Sequence, residues 1–275
     1  GKVANQGLDF MVNTVNIDTK DFGWSSTLNF NYNKNEIKKL GENDEDILTG
    51  PWFISGNLVI LRKGESLGSF WGYKREGIWG EDEAEEAKAA GAGVGQPKRS
   101  KDREILGKGL PDVTGSFINN FRYKNFDLTV DLQFVLGVDV YQQFLHSTED
   151  RFGIANALSS VLSEGWTPAN TNTMIPALYS QNSQPDSHWV ANGSYLRANL
   201  IQLGYTFEPS VLKALHLGSL RAYFSVNNAF CITSKDFKGY DPEGTSQGTD
   251  QWGQNIMFFQ YPKPRTYTLG VNVSF

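Results

Sequence analysis

The chain has 275 residues and a formal net charge of −5, with 39% hydrophobic and 13% aromatic residues. A mildly acidic chain gives no indication of nucleic-acid binding. The absence of any run of about 18 apolar residues excludes a transmembrane helix. A single cysteine, Cys231, excludes an internal disulfide and a cysteine-based zinc site.

Residues 22–33 are the first segment in which large apolar side chains alternate strictly with small or polar ones. Phe22, Trp24 and Leu28 fall on one side of an extended chain, and Ser25 and Asn29 fall on the other. A period of two residues predicts a β-strand with one apolar and one polar face. Later segments repeat the pattern. A soluble β-sandwich would show the same alternation, so the pattern alone does not decide the class of protein.

On this basis we predict about nine strands, of which the third is the weakest. A change of phase near Leu200 and Ile201 indicates a β-bulge in the seventh. The predicted strands are residues 7–17, 22–33, 54–62, 67–79, 113–123, 126–138, 195–207, 216–229 and 265–275.

The connections between these strands alternate between short and long. A soluble sandwich has no reason to place every long loop at one end, whereas an outer-membrane β-barrel has short periplasmic turns and long extracellular loops. The loop lengths therefore favour a transmembrane barrel whose C-terminus lies at the periplasmic rim. The short connections are residues 18–21, 63–66, 124–125 and 208–215, and the long ones are 34–53, 80–112, 139–194 and 230–264.

The last predicted strand, residues 265–275, reads RTYTLGVNVSF. Its polar side carries only small groups, as expected beside a watery lumen, and Phe275 ends the chain on the apolar side. Bacterial outer-membrane barrels commonly end in this way. The N-terminal sequence GKVANQGLDF has neither the basic nor the apolar region of a signal peptide. An exported protein is therefore expected to have a further part before it.

Six groups of motifs resemble those of the SusC/RagA-type TonB-dependent transporters of the Bacteroidetes. They follow one another in order from about residue 67 to the end of the chain. They are FWGY at 70–73 with GIW at 77–79, DREILG at 102–107 with LPDVTG at 110–115, FRYKNFDL at 121–128, YLR at 195–197 with LGYTF at 203–207, GYDPE at 239–243, and YPKPR at 261–265.

The resemblance implies an all-β fold, namely the C-terminal part of a transmembrane barrel of roughly 22 strands with long extracellular loops. Residues 1–275 would form one segment of that barrel, without the plug domain and the signal peptide. The family imports oligosaccharides, or peptides in some members, across the bacterial outer membrane. The implied partners are a SusD-type surface lipoprotein that lids the barrel, the TonB complex acting through the plug, and outer-membrane lipid. Phe275 is implied to be an assembly signal for the insertion machinery.

Aromatic residues in the long loops are the best candidates for ligand contact. Flat rings can stack on the apolar faces of sugars while neighbouring polar groups bind the hydroxyls. Packing within the loops, or contact with a lid lipoprotein, would explain the same residues. The candidates are Trp166, Tyr179, Trp189, Trp252 and Phe258, with Phe259 beside them.

The remaining polar features have ordinary structural explanations. Acidic residues 81–86 predict a short solvated helix, and the glycine-rich stretch 91–95 lacks the lysine of a phosphate loop. The histidines have no metal-ligand spacing, and GYDPE at 239–243 fits a tight turn. We therefore predict no catalytic residue, metal or cofactor. A basic run follows the glycine-rich stretch and comprises Lys98, Arg99, Lys101 and Arg103.

Two alternatives to a transporter stay open. The first is a soluble β-rich carbohydrate-binding module, which would share the strand pattern and the many aromatic residues. The second is a β-rich hydrolase, which would need converging carboxylates, and no such pair stands out in the sequence.

Overall fold

A computed structural model describes residues 1–50, 57–150, 155–178, 180, 184–244 and 252–275. Across those ranges, none of the helices has the length and apolar character needed to span a membrane.

Strands dominate the described residues, as predicted. In chain order they are β1 (Lys2–Asp18), β2 (Phe22–Lys39), β3 (Ile47–Thr49), β4 (Val59–Leu61), β5 (Ser69–Ile78), β6 (Pro97–Lys108), β7 (Val113–Tyr123), β8 (Phe126–Leu136), β9 (Asp139–Gln142), β10 (Val190–Asn192), β11 (Tyr195–Thr206), β12 (Ser219–Asn227), β13 (Cys231–Thr233), β14 (Ile256–Met257) and β15 (Thr266–Ser274). The α-helices are α1 (Ala84–Ala89), α2 (Ser159–Ser163) and α3 (Pro209–Leu215), with short 3₁₀ turns at Glu81–Glu83 and Ser187–Trp189 and a π-helical turn at His146–Asp150.

The main sheet contains the long strands in the order β1-β2-β7-β8-β11-β12-β15, and the short β13 also pairs with β11. Every pair of neighbours in this order is antiparallel. At the last pair, Phe224 lies opposite Leu269 and Ser225 lies opposite Thr268. Because side chains alternate between faces, the sheet has one apolar and one polar face, as the sequence predicts.

The apolar face of the main sheet is open to its surroundings. Leu8 on β1 is 71% exposed, and Leu269 on β15 is 81% exposed. Aromatic pairs lie across neighbouring strands on this face, such as Phe126 and Tyr205 with ring centroids 4.7 Å apart. A soluble domain would cover so large an apolar surface, so this face needs an apolar environment.

The short connections all lie at one end of the main sheet, which we call the turn end. They are residues 19–21, 124–125 and 207–218, and the last of them contains α3. The described parts of the long connections 40–112, 137–194 and 228–265 lie at the opposite end and pack together. We call this structure the loop body. Short and long connections therefore alternate, as predicted, but the predicted connections 34–53, 63–66 and 80–112 are not separate: beyond the end of β2 they belong to the single long connection 40–112.

The loop body has two small sheets and its own apolar core. The sheets are β3-β4-β5-β6 and β10-β9-β14. The core includes Leu58, Phe70, Tyr141 and Trp189, which are fully buried, and reaches Ile37 near the end of β2. Ile37 is on the polar side of β2, so the loop body packs against the polar face of the main sheet.

The prediction that residues 54–62 and 67–79 are strands of the main sheet is wrong. The described part of the first segment forms β4, the second forms β5, and both belong to the loop body. β2 pairs directly with β7, so the main sheet has seven long strands, not about nine. The run Val59–Leu61 is buried on both sides, and periodicity cannot tell which sheet such a run joins. Residues 54–56 lie outside the described ranges.

Two further expectations concern local geometry. The predicted bulge in the seventh strand is confirmed, because the register between β11 and β8 shifts between Ala198 and Leu200. The predicted strand 216–229 begins later, at Ser219. His216 has a φ of 55° and caps α3 in a left-handed conformation, which ends the helix before the strand begins.

Candidate functional site

The loop body is held together by a buried ionic cluster that joins two long connections. The Arg75 side chain, on β5, donates to Asp186 Oδ2 from Nε at 2.9 Å and from Nη2 at 2.6 Å. It also donates to both carboxylate oxygens of Asp150. Arg99, on β6, donates from Nε to Asp186 at 2.6 Å. The cluster contains two guanidinium groups and two carboxylates, so its formal charge is zero.

The geometry of the cluster explains how these charges can be buried. The side chains of Arg75, Asp150 and Asp186 are at most 1% exposed. Trp189 Nε1 donates to Asp150 at 3.2 Å. Burial by itself would lower the pKa of Arg75, but the carboxylates of Asp150 and Asp186 outweigh it and raise that pKa. Removing one member would leave an uncompensated buried charge, which costs about 3–5 kcal/mol.

A further buried carboxylate, Glu149, joins the middle and last long connections. Lys238 Nζ donates to Glu149 Oε1 at 2.6 Å, and His188 Nε2 lies 2.9 Å from Glu149 Oε2. Ser160 Oγ adds a hydrogen bond at 2.9 Å. Burial would raise the pKa of Glu149, but its hydrogen bonds from His188 and Lys238 lower it to about 2. Glu149 is therefore ionised under all ordinary conditions.

A third ion pair attaches the last long connection to the main sheet. Arg197, on β11, donates to both oxygens of Asp241 at 3.1 and 2.6 Å. The side chains of this pair are 3% and 5% exposed. Asp241 also accepts from the backbone N–H of Glu243 at 2.9 Å, as in an Asx turn. The GYDPE segment is thus a tight turn, as predicted, and it is anchored by the arginine of the YLR segment.

The polar face of the main sheet has a ladder of amide and hydroxyl side chains. Asn31 donates to Asp9 at 2.7 Å, and Asn35 donates to Asn5 at 2.8 Å. Nearer the turn end, Thr27 donates to Asn13 at 2.7 Å. Such pairs stabilise neighbouring strands and leave a hydrophilic surface, made mostly of neutral side chains, that suits contact with water.

Arg221 and Asp127 form an ion pair across the polar face near the turn end. Arg221 donates to the two Asp127 oxygens at 3.1 and 2.5 Å. They lie on β12 and β8, and β11 runs between these two strands. Gly204 on β11 makes this possible, because a Cβ at that position would lie against both side chains. The absence of a side chain at Gly204 therefore has a structural reason.

A cavity of about 550 Å³ opens in the loop body between β5, β6 and the turn after α1. Its lining includes the aromatic rings of Tyr73 and Trp79, the cationic side chains of Arg99 and Lys101, and Gln184. This is a concave surface with aromatic and polar groups together, as small-molecule sites usually have.

The predicted aromatic residues that the structure describes do not line this cavity. Trp189 is fully buried, so its ring packs in the core rather than lying open to a ligand. Trp166 is 8% exposed, and Trp252 and Phe258 are partly buried against the core of the loop body. Phe259 is 55% exposed, with its ring centroid 4.5 Å from that of Phe258. Tyr179 lies outside the described residues.

Sequence reasoning missed the charged groups that organise the loop body. Arg75, Asp150 and Asp186 occur in segments with no recognisable spacing, and more than 100 residues separate Arg75 from Asp186. The predicted short helix at residues 81–86 is present as a 3₁₀ turn followed by α1. In the described part of the chain, no group of three or more His, Cys, Asp or Glu residues is placed to hold a metal.

Sequence comparisons find relatives that match the whole of this chain. TonB-dependent receptor P3 of Formosa agariphila is 32% identical over the whole chain, which covers 29% of that protein. TonB-dependent receptor SusC of Bacteroides thetaiotaomicron is 31% identical, again over the whole chain, which covers 27% of it. The chain thus spans less than a third of the length of these relatives. No protein-family model matches the chain.

Solved structures show the same fold. The structure of the RagAB peptide transporter superposes with a TM-score of 0.76 and 22% identity, over 99% of this chain and 29% of that chain. The RagAB peptide importer in its "open-open" state gives a TM-score of 0.74 and 25% identity, over 99% of this chain and 29% of that one. The main sheet therefore has the fold of part of a β-barrel wall, and the chain is related over its whole length to part of TonB-dependent receptors, SusC among them.

Proposed function

We propose that the chain supplies part of the barrel wall and substrate-facing loops of a TonB-dependent nutrient importer in the bacterial outer membrane. The observation that carries this proposal is the division of the main sheet into an open apolar face and a polar face beneath the loop body. The apolar face would contact lipid, and the polar face would line the lumen. The chain would serve transport and would not catalyse a reaction.

The same division argues against the soluble carbohydrate-binding module. Exposed apolar residues extend from β1, where Leu8 is 71% exposed, to β15, where Leu269 is 81% exposed. In water this surface would cause aggregation. In a membrane it is the surface that a barrel needs, and the relatives are named as receptors.

The orientation follows from the loop lengths. We place the loop body outside the cell, and the turn end together with the C-terminus on the periplasmic side, as in other outer-membrane barrels. A SusD-type lipoprotein would then lie over the loop body as a lid. The TonB complex would act through the plug domain of the full-length receptor.

For the substrate we propose oligosaccharides. The polar face offers neutral amides and hydroxyls such as Asn31 and Asn35, which can exchange hydrogen bonds with sugar hydroxyls. Trp166, Tyr179, Trp252 and Phe258 stay as candidates for ring stacking. We propose Trp252 and Phe258 first, because they are only partly buried. Trp189 is the exception, since it is fully buried.

Peptides are the second candidate substrate, because the similar solved structures are named as a peptide transporter and a peptide importer. Uptake of labelled oligosaccharides and labelled peptides by cells with the full-length receptor and its lid lipoprotein would separate the two. We expect oligosaccharide uptake that stops when the proton gradient is collapsed. Uptake of peptides but not of oligosaccharides would show that the substrates are peptides. Uptake of neither, with the receptor in the outer membrane, would contradict nutrient import.

A further inference from the structure

The basic run of the sequence has a structural role that nutrient import in general does not explain. Of its members, Arg99 and Lys101 line the cavity between β5 and β6. Arg103 lies over the Tyr73 ring, with its guanidinium carbon 5.0 Å from the centroid. Lys98 lies over the Trp79 ring at 4.6 Å. The run therefore surrounds one aromatic-lined cavity.

The charge of this cavity is positive, although the whole chain is acidic. Its described lining contains two cations, Arg99 and Lys101, and no carboxylate. Asp186 neutralises Arg99, and Glu83 neutralises the neighbouring Lys98. Lys101 is exposed and belongs to the lining, and the described lining has no carboxylate to balance it. An anion in the cavity would therefore find an unbalanced cation in Lys101.

A local irregularity of the strands places Lys101 there. Tyr73 pairs with Arg103 and Arg75 pairs with Arg99, so two steps along β5 correspond to four along β6. The extra residues form a bulge, which redirects side chains. Ser100 holds it: its hydroxyl accepts the Lys74 N–H at 2.9 Å and donates to the carbonyl of residue 102 at 2.8 Å.

The buried ionic cluster keeps this arrangement rigid. Arg99 shares Asp186 with Arg75, so the floor of the cavity is continuous with the most deeply buried charges of the loop body. A floor fixed by buried ion pairs is suited to holding an anionic group, because only the exposed Lys101 side chain would have to be ordered on binding. The ring of Tyr73 and the amide of Gln184 offer contacts for the rest of a ligand unit.

We infer that the cavity between β5 and β6 binds an acidic sugar unit of an oligosaccharide through its carboxylate or sulfate group. Lys101 contacts the anion, the Tyr73 ring faces the sugar carbons, and Ser100 and Gln184 contact hydroxyls. This inference deepens the proposed function and rests on it, since it assigns the substrate as an acidic oligosaccharide and not a neutral one.

The test uses the full-length receptor, purified with its lid lipoprotein, and an oligogalacturonate as the probe. Its fully methyl-esterified form is the neutral counterpart. We expect the acidic form to bind at least about fivefold more tightly than the ester at low salt, with a preference that declines as salt rises. Lys101→Ala should remove the preference and Lys101→Arg should retain it. Lys74→Ala, at an exposed lysine on the same hairpin outside the cavity lining, is the matched control.

Three outcomes would overturn the inference. The receptor could bind the acidic and the esterified forms equally, or Lys101→Ala and Lys74→Ala could lose the preference alike. The third is Lys101-dependent binding of an acidic peptide by a receptor that does not bind the oligogalacturonate. These outcomes are distinct from failure of nutrient import. Uptake of neutral oligosaccharide by Lys101→Ala cells at the native rate would leave the proposed function intact. Absence of uptake of every sugar and peptide by the native receptor would contradict that function itself.

Discussion

Arg197 and Asp241 form a buried, bidentate ion pair, with hydrogen bonds of 3.1 and 2.6 Å. They are 44 residues apart in the chain and belong to two motifs, YLR on β11 and GYDPE in the last long connection. The pair fixes a loop to the wall beneath it. It explains both motifs together, since neither charge could be buried without the other.

The first prediction concerns this pair. Arg197→Met should destabilise the attachment of the last long connection by about 3–5 kcal/mol, because it leaves Asp241 buried without a counter-charge. The double variant Arg197→Met/Asp241→Leu should recover much of that loss. Hydrogen exchange of the GYDPE backbone in the full-length receptor would measure both. If the double variant lost as much stability as the Arg197→Met and Asp241→Leu variants together, the two side chains would not be directly coupled.

The second prediction concerns Arg75. Arg75→Leu should loosen the loop body by about 3–5 kcal/mol, since it leaves the buried Asp150 without a bonded counter-charge and Asp186 with Arg99 alone. Limited proteolysis of the receptor in membranes would report the loss as faster cleavage in the long connections. Lys63→Met is the control, because the ion pair of Lys63 with Asp44 is exposed and should contribute little to stability. Equal cleavage of the two variants would show that the cluster does not stabilise the loops.

The third prediction concerns acid. Glu149 has a folded-state pKa of about 2 against an ordinary value of 4.5, so its contribution is complete above pH 4.5. It is lost as the pH falls from 4.5 towards 2, and amounts to about 3 kcal/mol. Hydrogen exchange of residues 146–150 against pH would follow this loss. Glu149→Gln should be less stable at neutral pH and should lack this acid-dependent step. If Glu149→Gln lost stability between pH 4.5 and 2 as the native receptor does, another group would be responsible for that loss.

The fourth prediction concerns assembly. Phe275 is 99% exposed at the end of β15, so its side chain contributes no packing to the described structure. If it acts as an assembly signal, Phe275→Ser should lower the amount of full-length receptor in the outer membrane several-fold while synthesis is unchanged. Tyr261→Ser is the control, because Tyr261 is also an exposed aromatic residue, at 93%. Normal surface levels of the Phe275 variant would rule out this role.

Sequence reasoning was most successful for the main sheet, because its residues alternate where the two sides meet different environments. From Phe22 to Tyr32, and again along β15, each large apolar residue lies on the apolar face, and along β8 the exception is Val135. The short turns follow from the same pattern. Even the bulge of β11 was visible as a change of phase near Leu200.

The loop body could not be predicted in the same way, since local patterns do not encode contacts between distant segments. β4 is a buried apolar run that resembles a strand of any sheet. Trp189 looked like an exposed ligand contact because the core around it is assembled from three separate connections. The sequence does not indicate the ionic partners of Arg75. It does show the basic run, but not the cavity that this run helps to line.

The central claim is that the main sheet is a barrel wall with lipid on one face and an aqueous lumen on the other. It is tested most directly by spin labels at neighbouring positions of β15 in the full-length receptor, with Cys231 replaced by Ser, in lipid bilayers. Leu269→Cys should be relaxed mainly by oxygen from the lipid, and Thr268→Cys mainly by a water-soluble nickel complex. The same accessibility at both positions, or the reverse order, would contradict a transmembrane barrel wall.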